Sequence, residues 1–464
     1  MTAIKRIAPI AILGAMVCLP SLTCSGKSGS HSANILFITV DTLRADHLSV
    51  YGYSRKTSPT IDALAEEGIV FKRMYAQRGL TWPSLASILT SQYPHQHGVR
   101  DNWMMLSGTE PTIASVLLKN GYQCAAFLTN TSKQQYAGFD LVEGQDALPY
   151  TNDISATQNA LAWLRNRTSR EPFFVWVHYI APHAPYEPPD PYADRFMPSD
   201  LAKVETDIEL LLEYAVQKTP PEPDFVEACI AQYDGAIAFI DNEINTLLQT
   251  LKALDLYDRT LIAFTSDHGE ELFQHNAYSD HYASVYSAVT HVPFIMRLPN
   301  TSREGETDAV VQTLDIAPTI LAALGLKSPE EFQGVNLLEV LDGTQEGQGF
   351  AVAEWEDKIL TITTEEYVYV DNPLNFSPTV GHARLQPEYR DAVFEIAESE
   401  LYDIGNDPRE QINIVDYQPE VAERLQEKLI SWARRYGWAH NTMPGTRELD
   451  EETRQALEAM GYLR

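Results

Sequence analysis

The stretch Ile35–Asp41, which reads ILFITVD, decides the fold of this chain. Its first six residues are apolar or β-branched, with no alternation of polar side chains. Such a run is typical of a central strand that other elements cover on both faces. Asp41 would then be the first carboxylate that this strand delivers to the edge of a sheet. We therefore predict a sheet protein whose centre is this segment.

Further runs of the same kind follow along the chain, and helical patterns separate them. The runs cover residues 124–128, 173–178 and 261–265, and the helical patterns cover 58–68, 112–120, 153–165 and 225–254. The alternation predicts an α/β fold, an α/β/α sandwich around a mixed, mostly parallel sheet. Ligand sites in such sheets gather beyond the carboxyl ends of the strands. Asp41, His178 and Asp267 each lie at or just after such an end.

The pattern changes after about residue 343. Short β-like pieces at 350–354, 359–363, 367–370 and 401–403 precede a helical pattern over 419–436. They predict a smaller C-terminal α+β subdomain. The predicted boundaries are 34–343 for the large domain, 344–446 for the subdomain and 447–464 for an acidic helical tail.

The N-terminus has the pattern of an export signal. Lys5 and Arg6 precede an apolar run over 7–22, shorter than the ~20 residues of a spanning helix. Cys24 ends a sequence that loosely resembles a bacterial lipobox, so cleavage alone and lipid attachment at Cys24 both remain open. We predict a periplasmic, envelope-anchored or extracellular protein that contacts a membrane only through that anchor. The predicted segments are a signal peptide over 1–24 and a linker over 25–33.

The charge of the chain excludes one class of partner. With 34 basic and 64 acidic side chains, the formal net charge is −30. Affinity for nucleic acid depends on lysine and arginine neutralising phosphates, so we expect no nucleic acid partner. An anionic substrate would need a local positive field to approach this surface.

Thr81 lies just before an apolar helical run over 85–89. Pro83 suits a first helical turn, which would put the Thr81 hydroxyl at the positive end of the helix. That position stabilises an alkoxide and the anion that it attacks. Thr81 is therefore open to two interpretations, a nucleophile or a helix cap. A threonine before a helix is more often a cap.

A second candidate is the Asp267–His268 pair, which follows the run at 261–265. A carboxylate and an imidazole offer one hard and one borderline metal ligand. Four of the chain's 12 histidines fall in the same loop-rich segment, namely His268, His275, His281 and His291. His178 and His183 flank a further proline-containing turn. Each histidine taken singly is also explained as a hydrogen-bonded polar residue.

Four motifs occur in the order in which sulfatases have them. They are VDTLRADH at 40–47, TWPSLASILT at 81–90, PHAPY at 182–186 and SDHGE at 266–270. The chain resembles the sulfatase branch of the alkaline phosphatase superfamily over roughly residues 34–434. The resemblance implies a metal-dependent enzyme that cleaves or transfers an anionic ester group.

The resemblance also implies roles for individual residues. Thr42 lies where many sulfatases have a further aspartate ligand. The matching residues are Asp41, Thr81, Asp267 and His268 for the metal, Thr81, His183 and His281 for catalysis, and His178 and Asn130 for substrate binding.

Three departures from the family pattern shape the expected chemistry. Sulfatases have a cysteine or serine that is oxidised to formylglycine, whereas this chain has Thr81, and Leu85 stands where an arginine follows. We therefore expect no formylglycine and a direct alkoxide attack, as in the phosphoryl-transferring branches of the superfamily. His268 replaces an asparagine of calcium sites, which favours Zn²⁺ or Mn²⁺ as the single divalent ion and leaves Ca²⁺ possible.

The sequence thus predicts a hydrolase or transferase acting on a phosphoric or sulfuric ester, with the phosphoric ester favoured and Thr81 as nucleophile. The ester would be anionic and could be linked to a glycan or a lipid. Two alternatives remain. One is a true sulfuric ester hydrolase that resembles arylsulfatases, and the other is a catalytically silent envelope protein with the same fold.

Overall fold

The computed structural model describes residues 33–129, 138–144, 150–206, 208–275, 277–278, 281–380 and 393–438. In chain order, its strands are β1 (Asn34–Val40), β2 (Ile69–Tyr75), β3 (Gln123–Leu128), β4 (Leu141–Gly144), β5 (Phe173–Tyr179), β6 (Thr260–Ser266), β7 (Leu272–Gln274), β8 (Ala277–Tyr278), β9 (His291–Arg297), β10 (Gly305–Gln312), β11 (Ala351–Trp355), β12 (Ile359–Thr363), β13 (Tyr367–Asp371) and β14 (Ser399–Asp403). The α-helices are α1 (Pro59–Glu66), α2 (Thr81–Thr90), α3 (Pro94–His97), α4 (Ile113–Lys119), α5 (Thr151–Asn166), α6 (Ile208–Gln217), α7 (Pro223–Ala253), α8 (Ser287–Thr290), α9 (Ile316–Ala323), α10 (Leu337–Leu341) and α11 (Pro419–Tyr436).

The predicted sandwich is confirmed. Eight strands form one mixed sheet in the order β10-β2-β9-β6-β1-β5-β3-β4. Strand β9 is antiparallel to both of its neighbours, and the other pairs are parallel. Helices α1, α5 and α7 cover one face, and α2, α4, α9 and α10 cover the other. The sheet therefore delivers the ends of several parallel strands to one edge.

Strand β1 lies in the middle of this sheet, which explains its unbroken apolar run. Leu36, Ile38 and Val40 are buried under one helical layer, and Ile35 and Phe37 under the other. Both faces of the strand are thus removed from water, so polar residues at alternate positions would be buried without partners.

The sequence patterns do not predict β2, β4, β9 and β10. Strand β2 carries Lys72 and Arg73 within its run, and β9 contains Pro293, so neither reads as an uninterrupted central strand. The first residues of β10 are exposed because it is an edge strand of the sheet. Uninterrupted apolar runs therefore miss the edge strands β4 and β10, and also the inner strands β2 and β9, whose runs contain charged residues or a proline.

The predicted C-terminal subdomain is confirmed as a four-stranded antiparallel sheet, β11-β12-β13-β14, with α11 packed on it. Ala422, Leu425, Leu429 and Trp432 recur at helical spacing along α11 and are buried. Pro419 begins the helix, and Gly437 ends it with a φ of 71° that glycine adopts without strain.

Several predicted segments lie outside the described residues. These are the leader over 1–24, most of the linker over 25–33 and the tail over 447–464. Among the helices of the described ranges, none combines the length and the hydropathy that crossing a bilayer requires.

The loop after β7 is joined to the C-terminal subdomain through His275. Its Nδ1 lies 3.2 Å from a carboxylate oxygen of Glu271, and its Nε2 lies 2.8 Å from the backbone carbonyl of Glu410. Both partners only accept hydrogen bonds, so the ring satisfies them as an imidazolium. Tyr286 stacks on this ring with 3.9 Å between centroids. Burial lowers the pKa of His275, but the carboxylates of Glu271 and Glu410 more than offset this and raise it to about 9.

We expect His275→Gln to destabilise the protein in a pH-dependent way. A histidine with a raised pKa contributes stability that is complete below its unfolded pKa of about 6.5. That contribution is lost as the pH rises through about 9. The loss at pH 6 should be on the order of 2–3 kcal/mol and should shrink at pH 10. Thermal melting at the two pH values measures this, and an equal loss at both would contradict a charged His275.

Candidate active site

Three neighbouring strands end at one edge of the sheet and present polar residues there. Asp41 follows β1, His178 lies near the end of β5, and Asp267 and His268 follow β6. In the sheet, Thr39 of β1 is paired with His178 on one side and with Thr265 on the other. The structure therefore brings together the strand-end residues that the sequence singled out.

Thr81 completes a compact cluster with Asp41, Asp267 and His268. Its Oγ1 lies 3.4 Å from Asp41 Oδ2 and 3.5 Å from His268 Nε2. His268 Nε2 in turn lies 3.6 Å from Asp41 Oδ1 and 3.6 Å from Asp267 Oδ2. All four side chains are at most 2% exposed. These separations are long for hydrogen bonds and close to the ~3.3 Å between ligands that a tetrahedral ion with ~2.0–2.1 Å bonds requires.

The electron-pair donor atoms of this cluster fit a divalent metal ion. Asp41 Oδ1 and Asp267 Oδ2 are buried and have no hydrogen-bond partner. His268 Nδ1 lies 2.9 Å from the carbonyl of Gly269, so it carries the proton and Nε2 carries the lone pair that faces the carboxylates. The ligand atoms of these three residues lie within 4.8 Å of one another. Two carboxylates and one imidazole form a donor set that suits Zn²⁺ or Mn²⁺, whereas Ca²⁺ usually takes six to eight oxygens.

Without such an ion, the buried carboxylates are held at an energetic cost. Burial, followed by the charges of Asp267 and Glu270, raises the pKa of Asp41 well above its usual value. Burial raises the pKa of Asp267 to about 6. Natural proteins keep unpaired buried charges where function requires them.

Thr81 is the first residue of α2, and its hydroxyl does not cap that helix. Leu80 holds the N-cap position, and Ser84 Oγ donates to the backbone carbonyl of Asp267 at 2.6 Å, which ties α2 to the end of β6. The Thr81 side chain is thereby turned toward Asp41 and His268. The capping role that the sequence left open is thus excluded by the geometry.

Thr42 holds a strained conformation beside the cluster. Its φ of 54° is rare for a β-branched residue, and its Oγ1 is buried without a hydrogen-bond partner. Tyr233 donates a hydrogen bond to the Thr42 carbonyl at 2.7 Å and fixes this turn. Backbone strain of this kind is concentrated at functional sites of proteins.

His183 and His281 stand beside His268. The ring of His281 lies 4.5 Å from that of His268 and 5.2 Å from that of His183, measured between centroids. His281 Nδ1 lies 3.2 Å from Glu270 Oε1, and His183 Nδ1 lies 2.7 Å from the Ala184 carbonyl. Burial, followed by repulsion from His281, lowers the pKa of His183 to about 4. Burial, followed by the charges of His268 and Arg78, lowers the pKa of His281 well below its usual value.

The other predicted residues differ in their relation to this centre. His178 is fully buried, its Nδ1 lies 2.8 Å from Thr39 Oγ1, and its charge partly offsets the effect of burial on the pKa of Asp267. His291 donates from Nε2 to the Lys72 carbonyl at 2.8 Å, and His275 joins the C-terminal subdomain. Asn130 lies outside the described residues. The density of histidines in the sequence therefore combines two site residues with two structural ones.

Sequence reasoning missed two groups at the site. Glu270 is 1% exposed, and burial raises its pKa to about 7. It stands in the quoted SDHGE motif, so the motif could have indicated it. Arg78 is 2% exposed and its charge lowers the pKa of both His268 and His281. It lies three residues before Thr81, but no pattern in the sequence distinguishes it.

Comparison with known proteins identifies the family of this chain. A family described as sulfatase matches residues 33–326, and a family described as the C-terminal region of N-sulphoglucosamine sulphohydrolase matches residues 274–435. An N-acetylglucosamine-6-O-sulfatase of Bacteroides thetaiotaomicron is 26% identical, over 90% of this chain and 89% of that protein. An arylsulfatase of Clostridium perfringens is 23% identical, over 84% and 92% of the two chains.

Solved structures share the fold. One is a protein solved in complex with its substrate, D-glucosamine-2-N,6-O-disulfate. It has a TM-score of 0.69 and 22% identity, over 88% of this chain and 98% of that protein. Another is the phosphonate monoester hydrolase of Agrobacterium radiobacter, at a TM-score of 0.68 and 21% identity over 87% and 96% of the two chains. Since the first family match covers more than half of the residues, this chain belongs to the sulfatase family.

Proposed function

We propose that this protein is a metal-dependent hydrolase of anionic esters in which Thr81 is the nucleophile and a phosphoric ester is the preferred substrate. The observation that carries the proposal is the position of the Thr81 hydroxyl, 3.4–3.5 Å from Asp41 and His268 at the start of α2. Asp41, Asp267 and His268 would hold one divalent ion, with Zn²⁺ or Mn²⁺ favoured. Bound there, the ion would supply Lewis-acid chemistry, lowering the pKa of the Thr81 hydroxyl and polarising the ester.

The residues of the chain would then carry out two displacement steps. Thr81 Oγ1 attacks phosphorus in line, so that a threonine–phosphorus bond forms and the bond to the leaving oxygen breaks. Water attacks in the second step and releases Thr81, or an acceptor hydroxyl takes the place of water in a transfer. The positive end of α2 stabilises the anion in both steps.

His281 is suited to move the protons of these steps. Its lowered pKa keeps the ring neutral, and Glu270 orients it through Nδ1, as in other carboxylate–histidine pairs. It would accept the proton of Thr81 and pass it to the leaving oxygen, then accept a proton of water and return one to Thr81. His183 donates through Nδ1 to Ala184, so its Nε2 is the atom that would accept a hydrogen bond from a substrate hydroxyl.

The threonine favours a phosphoric ester for a chemical reason. A formylglycine adduct can expel its sulfate by collapse of a hydrate, but a threonine ester must be broken by attack of water at phosphorus or sulfur. Direct alkoxide and water attack is the ordinary course of phosphoryl transfer. Positioning and charge stabilisation supply most of its catalysis.

Hydrolysis of a sulfuric ester is a second candidate, which the relatives favour. The two curated relatives named above are a glucosamine sulfatase and an arylsulfatase. An unmodified threonine could serve such a substrate only if water hydrolyses a threonine sulfate. A sulfated glycan would then be the expected substrate class.

A panel of substrates separates these functions. Purified protein is loaded with Zn²⁺, Mn²⁺ or Ca²⁺, its metal content is measured, and turnover of p-nitrophenyl phosphate, bis-p-nitrophenyl phosphate, phenyl p-nitrophenyl phosphonate and p-nitrophenyl sulfate is compared. We expect one equivalent of Zn²⁺ or Mn²⁺ and faster turnover of a phosphorus ester. Faster turnover of the sulfate would favour the second candidate. A protein that binds no metal and turns over none of the four would contradict both and favour a silent member of the fold.

We also propose that the chain is exported, with a leader over 1–24 and a choice between cleavage alone and lipid attachment at Cys24. The basic residues and short apolar run of the N-terminus support this. Mass spectrometry of the mature protein decides it, and Cys24→Ala should remove any diacylglycerol mass.

A further inference from the structure

Arg78 is a buried cation whose guanidinium lies against two adjacent aromatic rings near the segment that carries His281. It is 2% exposed, and its guanidinium carbon lies 5.1 Å from the ring centroid of Trp355 and 5.4 Å from that of Tyr282. Arginine is almost never fully buried without compensation. Aromatic faces supply part of this compensation through cation–π attraction.

The chain between Arg78 and Thr81 is pressed against the segment that carries His281. A Cβ atom at Gly79 would meet the His281 carbonyl oxygen at 2.6 Å and Val289 Cγ1 at 2.4 Å, so glycine is needed for this close approach. The backbone beside Arg78 is therefore held close to His281, and the Arg78 guanidinium lies against the ring of Tyr282, the residue that follows His281. The lowered pKa values of His268 and His281 are in part the effect of its charge.

The C-terminal subdomain supplies one of the two aromatic rings, that of Trp355. Trp355 ends β11, and its Nε1 donates to the backbone carbonyl of Tyr282 at 2.8 Å. Phe376 packs against Trp355, with 5.1 Å between the ring centroids. The rings of Trp355 and Tyr282 are 5.9 Å apart and nearly perpendicular, so they contact the guanidinium from one side. An arginine binds an oxyanion through its N–H groups, often in pairs.

We propose that Arg78 binds the non-bridging oxygens of the anionic ester and that Trp355 and Tyr282 are the positioning residues that orient it. Helix α2 itself supplies no arginine to bind the anion. Leu85 stands where sulfatases have that arginine, and it is 1% exposed and packs in the apolar core. Arg78 then supplies a fixed positive charge at the site of a protein with a net charge of −30. This inference rests on the proposed function for the identity of the ligand, an oxyanion of phosphorus or sulfur.

The test measures binding of inorganic phosphate and of inorganic sulfate, which requires no turnover. Full-length protein loaded with Zn²⁺ is titrated by calorimetry as wild type, Arg78→Ala, Arg78→Met and Arg78→Lys. Methionine keeps an apolar side chain of similar length beside the rings, so Arg78→Met should fold even if Arg78→Ala does not. The matched control is Arg167→Ala, which removes another arginine stacked on aromatic rings, those of Trp163 and Phe173 at 5.1 and 4.9 Å.

We expect the alanine and methionine variants to bind the preferred anion at least tenfold more weakly, with lysine intermediate and Arg167→Ala within twofold of wild type. Trp355→Leu should raise KM or the anion Kd severalfold, and Trp355→Phe should restore most of the affinity. Affinity within twofold of wild type in folded Arg78→Met would overturn the proposal, as would a wild type that binds neither anion at 10 mM. A wild type that binds anions through Arg78 but turns over no ester would contradict the proposed function and leave this inference standing.

Discussion

Thr81→Ala is expected to lower kcat at least a thousandfold on the best substrate of the panel, about 4 kcal/mol of transition-state stabilisation. The alanine variant lacks the atom that forms the covalent intermediate, and water would have to attack the ester directly. Because Thr81 does not cap α2 and its contacts with Asp41 and His268 are as long as 3.4 and 3.5 Å, its loss should leave the melting temperature within about 2 °C of wild type. Steady-state kinetics and thermal melting of the metal-loaded protein measure both effects.

Two variants control this result. Thr81→Ser keeps the hydroxyl and should retain at least a tenth of the wild-type kcat. Thr90→Ala removes a buried threonine from the other end of the same helix, where its hydroxyl donates to the Ala86 carbonyl at 2.6 Å, and should leave kcat unchanged. Turnover of Thr81→Ala within fivefold of wild type would show that another group, or water alone, attacks the ester.

The central strands were predictable because their environment is uniform. Strands β1, β3, β5 and β6 are covered by helices on both faces, and their sequences are therefore mostly apolar, with the polar residues mainly at the strand ends. Strands β2 and β10 lie toward the edge of the sheet, where one or both faces admit charged residues. No local pattern then separates them from loops, and only their pairing with distant segments defines them.

The metal cluster was predictable from the same feature. Parallel strands that lie side by side end together, so residues placed after two such strands meet in space. Asp41 and Asp267 are separated by more than two hundred residues in the chain and yet belong to adjacent strands. Family motifs then assigned His268 and Thr81 to the same place.

The surroundings of the cluster depend on packing that no motif encodes. Arg78 and Trp355 come together only because the C-terminal sheet lies against the catalytic loops. His275 and His291 differ from His268 and His281 in the partners that the fold supplies, although all four stand in one stretch of sequence. The sequence identifies residue types that can do chemistry, and the tertiary contacts decide which of them do it.

Asp267→Asn is expected to stabilise the metal-free protein and to abolish its response to metal. Asp267 Oδ2 and Asp41 Oδ1 are buried, face the same space and have no hydrogen-bond partners. A carboxyl whose pKa is raised by burial makes folding less favourable as the pH rises above its unfolded value, and at pH 8 that cost is complete. The asparagine amide removes one of the two charges and can donate to Asp41. We therefore expect a gain of about 1–3 kcal/mol in the free energy of unfolding of the metal-free variant at pH 8.

The sign of this effect distinguishes a metal site from a structural carboxylate. Burial also raises the pKa of Asp315, to about 7, so the cost of burying a carboxylate is common to both sites. The difference is that the two oxygens of Asp315 accept the backbone N–H groups of Gln312 and Val335 at 2.8 Å each. Asp315→Asn replaces one acceptor by a donor and should lower the melting temperature. Wild type should gain about 3 kcal/mol from Zn²⁺ at a hundredfold excess over its Kd, and Asp267→Asn should gain none while losing at least a thousandfold in kcat. If Asp267→Asn instead melts below wild type without metal, the two carboxylates stabilise the fold, and they are not held apart for an ion.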